Sequence, residues 1–130
     1  LWAKEDEPDY YTWYEAVGLF GIDQIATDDQ FRTLLNNCTW TWSGITATIT
    51  GRYNKTITMT KKDDPESASA PRNMNYWTSS EYSMEEFANG GGAWDVLIYD
   101  YNGGGWKFTG IDKHHLRSVR LIKEEPIVIN

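Results

Sequence analysis

The sequence predicts an α+β fold: two helices packed on a mostly antiparallel, twisted sheet with long loops. Three patterns in its 130 residues carry that prediction. Two capping boxes each open an apolar stripe of helical period. The period drops from 3.6 to 2 at residue 39. Glycine-rich turns then separate strand-like runs. Helices first and strands afterwards is the order of an α+β chain, and the length fits a single domain over residues 1–130, since two separate cores would be too small to hold themselves.

Residues 1–11 are acidic, carry Trp2, Tyr10 and Tyr11, and read as a lead-in strand or loop. Thr12-Trp13-Tyr14-Glu15 fits a capping box, and Trp13, Ala16, Val17 and Phe20 follow on one helical face, so a helix is expected over 13–20 with Gly21 at its end. Thr27-Asp28-Asp29-Gln30 repeats the signal, with two acids on the positive end of the helix dipole. Phe31, Leu34, Leu35 and Cys38 give a second helix, about 28–37, with Cys38 as a buried, inert thiol. Trp40 and Trp42 then alternate with threonines, and a hairpin is expected with strands at 45–50 and 56–60. Residues 61–75 hold two prolines and no period, and read as a surface loop. Strands follow at 76–80 and 93–99, with Asn102-Gly103-Gly104-Gly105 as a turn into a return strand at 106–109. A loop over 110–116, a closing strand at 118–122 and a tail at 123–130 complete the reading.

Composition narrows the function classes. Seven Trp and eight Tyr exceed what a core of this size needs, so some rings are expected at the surface, where such residues mark binding sites. A net charge of -7 argues against nucleic acid or an anionic membrane surface, both of which want a cationic face. No apolar run approaches the roughly 20 residues of a membrane span, so no membrane insertion is expected. Cys38 is the only cysteine, which rules out an internal disulfide.

The candidate ligand-binding residues cluster in the last third. On the strand at 93–99, Ala93, Asp95, Leu97 and Tyr99 share one face, while Trp94, Val96 and Ile98 share the other and point to the core. Asp95, Tyr99, Tyr101 and Trp106 are thus expected in an exposed patch; alternatively Tyr99 and Trp106 form a cross-strand pair supporting the hairpin. No metal or other cofactor is expected. Asp112, His114 and His115 are close, but adjacent histidines on a strand face opposite ways and no second ligand cluster exists. Asp63, Asp64 and Glu66 read as a solvated face rather than a calcium site. No nucleophile motif or paired acid and base suggests catalysis.

Four motifs carry a resemblance. Leu34-Leu35-Asn36-Asn37-Cys38-Thr39-Trp40-Thr41-Trp42, Tyr76-Trp77-Thr78-Ser79-Ser80-Glu81-Tyr82, Ala93-Trp94-Asp95-Val96 and Arg117-Ser118-Val119-Arg120-Leu121-Ile122 occur in order. The chain thereby resembles the Fibrobacter succinogenes major paralogous domain family, whose fold is C-type lectin-like. It departs at Gln24-Ile25-Ala26 and Leu121, and lacks the segment that follows the hairpin in that family. The resemblance implies a non-catalytic binding module for adhesion or ligand recognition, extracellular or on the cell surface, with a glycan or protein receptor as partner. Alternatives are a variable receptor-binding protein of a phage or prophage tail, and a structural assembly domain. The formylglycine-generating enzymes share that fold class but depend on a cysteine pair absent here. In the variable proteins of related fold, diversity falls on the region that here carries Trp94, Asp95, Tyr99, Tyr101, Asn102, Trp106, Lys107, His114 and His115. Stacking on Tyr and Trp would supply affinity, and Asp95, Asn102 and Lys107 polar specificity. Oligomeric state is left open.

Overall fold

The computed structural model describes residues 2–3, 5–51, 55–63, 65–66, 72–82, 91–100 and 104–122. Both helices form where the caps place them. Helix α1 spans Trp13–Phe20 and α2 spans Asp28–Asn37, with a short 3-10 turn, Ile22–Gln24, between them. The Thr12 hydroxyl accepts from the Glu15 backbone N–H at 3.1 Å while the Glu15 carboxylate accepts from the Thr12 N–H at 2.9 Å. Thr27 and Gln30 repeat this reciprocal arrangement, satisfying donors that a helix start otherwise leaves unpaired. Helix α2 has no glycine cap; Cys38 is extended, and the chain passes straight into a strand. None of the described helices is long and apolar enough to cross a membrane.

Seven strands follow among the described residues: β1 Thr39–Ser43, β2 Thr46–Thr50, β3 Thr56–Thr60, β4 Lys62–Asp63, β5 Arg72–Tyr82, β6 Gly92–Tyr99 and β7 Gly105–Asp112. They make two antiparallel sheets in place of the one expected, ordered β1-β2-β3 and β4-β5-β6-β7. Strand β2 begins one residue later than predicted because Gly44, at positive φ, and Ile45 form the tight turn between β1 and β2. The predicted 61–75 loop is shortened at both ends, since Lys62 pairs with Asn73 and Asp63 with Arg72. Strand β7 runs on to Asp112, taking the first residues of the loop expected at 110–116. Within this extension a Cβ at Gly110 would run into the Tyr82 ring that covers the strand there, so glycine admits the close approach. The tail at 123–130 lies outside the described residues.

Threonines line one face of the first sheet. The other face, with Trp40, Trp42, Ala47, Ile49, Ile57 and Met59, joins Phe31, Leu34 and Leu35 of α2 and Met74, Tyr76, Val96 and Ile98 of the second sheet in one core. A second cluster gathers Tyr11, Trp13, Ala16, Ile25, Trp77, Ala93 and Val119. Its indoles are satisfied as well as buried: Trp13 donates to the Thr78 carbonyl at 3.0 Å and Trp77 to the Tyr11 carbonyl at 2.8 Å.

The closing segment is a set of single bridges rather than a continuous strand. Arg117 pairs with Tyr11, Leu121 with Ile25 and Ile122 with Trp2, all antiparallel, while Ser118 lies parallel to Tyr76. The segment is therefore wedged between the lead-in residues and β5. Arg120, 1% exposed, locks the wedge. Its guanidinium donates to the Ala3 carbonyl at 2.8 Å, the Asp6 carboxylate at 2.8 Å and the Thr58 carbonyl at 2.6 Å. Asp6 also accepts from the buried Tyr76 hydroxyl at 2.8–2.9 Å. Burial, reinforced by the Asp6 charge, holds the Tyr76 phenol well above its ordinary pKa, so it stays a donor.

Candidate functional site

The β6–β7 ribbon sets the geometry of the predicted site. Its register pairs Tyr99 with Gly105, Ile98 with Trp106, Leu97 with Lys107, Asp95 with Thr109 and Gly92 with Asp112. Trp106 therefore shares a face with Ile98, and Tyr99 lies on the opposite one. The cross-strand Tyr99–Trp106 pair is not formed. The Tyr99 ring instead covers Gly105, where a Cβ would meet it.

At the turn end of this ribbon an aromatic cleft opens. Strand β1 supplies Trp40 and Trp42, helix α2 supplies Leu35, and the ribbon supplies Ile98, Tyr99, Gly104, Gly105 and Trp106, around about 160 Å³. Trp106 is 37% exposed and among the few large hydrophobic side chains that face solvent. Beside the cleft, the Lys61 ammonium lies 5.7 Å from the Trp42 ring centre and bonds the Asp100 carboxylate at 2.8 Å. That bond holds the Asp100 carboxyl below its ordinary pKa. Among the described residues the buried Trp40 indole N–H has no acceptor, an arrangement that costs about 1–3 kcal/mol when left unmet.

The remaining predicted residues do not all converge there. Lys107 is exposed but lies on the other face of the ribbon from Trp106. Tyr101 and Asn102 lie outside the described residues. His114 and His115 follow Asp112 at the far end of β7, seven residues from Gly105, or roughly 20 Å or more along a strand. They belong to a separate polar turn. His114 contacts the Asp112 carboxylate through Nδ1 and through its backbone N–H, each at 2.8 Å. The backbone N–H and then the ring hold Asp112 below its ordinary pKa. His115 reaches Glu66 at 3.2 Å, and Glu66 also accepts from the Leu116 N–H and Arg117. Glu66 is thus a tether for this turn, not a merely solvated charge.

Asp95 corrects the expectation of an exposed patch. It is 5% exposed and accepts from Arg117 Nε at 2.7 Å. The closing segment crosses that face of β6 and covers it, and Ala93 on the same face is fully buried while Trp94 on the other is half-buried. Burial pushes the Asp95 carboxyl above its ordinary pKa, against the pull of Arg117. The folded state therefore holds this proton more tightly than the unfolded chain. Its stabilising effect is complete below the unfolded value of about 3.9 and is lost as pH rises through the folded value. Asp95→Asn, whose amide oxygen can still accept from Arg117, removes this titration. Urea unfolding at about pH 3 and pH 7 is expected to show the variant gaining stability relative to the native chain at the higher pH. Parallel profiles would reject the assignment.

Trp40 and Trp42 are the site residues that sequence reasoning passed over. Their spacing marked a strand, but nothing local says that this strand ends up against a hairpin some sixty positions away. No family of known proteins matches the chain, and neither a curated protein nor a solved structure matches it.

Proposed function

We propose that this chain is a non-catalytic recognition module of C-type lectin-like fold that binds a glycan or protein receptor through the aromatic cleft at the β6–β7 turn. The observation that carries the reading is Trp106, held partly in solvent at a cleft whose other walls include Trp40, Trp42 and Tyr99. Large rings on a rigid strand give contact area at little entropic cost. Two features support the fold assignment: the helices precede the strands, and the lead-in and closing segments pair with each other through Tyr11–Arg117 and Trp2–Ile122. The four motifs of the resemblance also fall on structured positions: the α2–β1 junction, β5, β6 and the buried closing segment. A surface role for such a module points to the cell exterior or a virion tail.

A glycan array and a pull-down with the isolated domain test the proposal. Trp106→Ala and Trp42→Ala are each expected to weaken the interaction found about tenfold or more, the behaviour of an aromatic anchor. Because Trp106 is partly solvated, its removal leaves the core intact. Unchanged binding by both variants would reject the cleft as the site.

A further inference from the structure

We infer that the threonine face of the first sheet is an ice-binding surface, separate from the aromatic cleft. The observation is a regular net of hydroxyl-bearing side chains. Thr41, Thr48 and Thr58 stand opposite one another across β1, β2 and β3. The rows on either side repeat this with threonine at every position except Ser43. Each strand pairs with its neighbour at all five positions with no register shift, so the net is unbroken. Sheet geometry sets one repeat at about 4.7–4.9 Å between strands and the other at about 6.4–6.8 Å between alternate residues.

Charge narrows the partner. The chain is 24% charged, yet β1, β2 and β3 contain no charged residue. Strands β1 and β3 are the edges of this sheet, where proteins ordinarily place lysine or other charges to prevent pairing with further chains. A charged partner has nothing on these strands to pair with. A sugar ring has no aromatic face to stack on, because Trp40 and Trp42 alternate with the threonines and pack against the core. A neutral partner that repeats in two dimensions remains, and a water lattice is one whose period fits.

Threonine suits that lattice. Its hydroxyl both donates and accepts, and its methyl group fills the hollows between lattice waters. Branching at Cβ leaves χ1 little freedom, so the hydroxyls are placed before ice arrives. Some are fixed further: Thr39 donates to the Thr50 carbonyl at 3.3 Å, and the Thr46 and Thr60 hydroxyls lie 3.1 Å apart. The prism faces of hexagonal ice carry waters on a rectangular net whose short and long repeats are close to those of the sheet. The threonines of β1 and β3 are exposed, and those of β2 are half-buried between them.

Ice growth in a solution of the full chain, watched by microscopy at controlled supercooling, tests the inference. The native chain is expected to facet ice crystals and to arrest their growth over an interval below the melting point. Thr48→Lys puts a charge at the centre of the net and is expected to abolish that arrest. Thr58→Lys changes an exposed position on an edge strand, where lysine is well tolerated. It is expected to abolish the arrest as well, and it gives the answer if Thr48→Lys fails to fold. Asp23→Lys, which places the same side chain on the exposed 3-10 turn, is expected to leave the arrest unchanged. Unshaped crystals with the native chain would overturn the inference. So would arrest that survives both threonine variants, or that Asp23→Lys removes equally. Sedimentation showing a dimer that Thr48→Lys dissociates, without ice shaping, would assign the face to a second copy instead. Retention on crystalline cellulose that Thr48→Lys abolishes, again without ice shaping, would assign it to a polysaccharide. Each of these results leaves the aromatic cleft to its own test with Trp106→Ala and Trp42→Ala.

Discussion

Arg120→Met is expected to destabilise the fold by about 3–5 kcal/mol, because it strands the Asp6 carboxylate in a buried site. Asp6 has little exposure, and without the guanidinium its described hydrogen-bond partner is the Tyr76 hydroxyl, with Lys62 no nearer than 3.9 Å. Asp6→Leu in the same background removes the stranded charge and should recover part of the loss. Recovery stays incomplete, since the Ala3 and Thr58 carbonyls and the Tyr76 hydroxyl each lose a partner. Urea unfolding of both single variants and the double variant closes the cycle. A cost below about 1 kcal/mol for Arg120→Met would mean that the network is as weak as an ordinary surface ion pair.

Trp77→Ala is expected to cost about 3–5 kcal/mol, the range for truncating a buried aromatic residue. Trp77 is fully buried, with 0% exposure, at the centre of the cluster of Trp13, Ala16, Ala93 and Val119. Trp77→Phe should cost distinctly less. It keeps most of the packing, and the Tyr11 carbonyl that loses the indole donor still accepts from the Arg117 N–H at 2.9 Å. Chemical denaturation of the two variants checks the order. Equal losses would show that the hydrogen bond, rather than ring volume, dominates at this position.

Helices were the most legible part of this chain because their signals are local. A threonine followed three residues later by Glu15 or Gln30 closes its own hydrogen bonds wherever the helix packs. Strand identity was legible for the same reason, through alternation in Thr39–Thr50 and Ala93–Tyr99. Sheet membership was not. The division into β1-β2-β3 and β4-β5-β6-β7 is decided by contacts between distant segments, as is the wedge formed by residues 117–122. That wedge is why Asp95 is buried although its neighbours on β6 suggested otherwise. Part of the proposed site was visible in Tyr99 and Trp106, which line the cleft, while the facing wall of Trp40 and Trp42 depends on how the two sheets meet. The burial of Arg117 and Arg120 follows from the carboxylates and carbonyls brought to them by residues 3, 6, 58, 66 and 95.

The pairing of Trp2 with Ile122, and of the Ala3 N–H with the Leu121 carbonyl at 2.8 Å, has a mechanical consequence. Two antiparallel segments whose outer ends are pulled apart are loaded one bond at a time, like a zipper, instead of all together in shear. A domain tethered through both of these ends would resist little until tension reached the Arg120 guanidinium, which grips Ala3 and Asp6 at once. That side chain is then the first stop against peeling, and its loss should lower the force at which the ends separate.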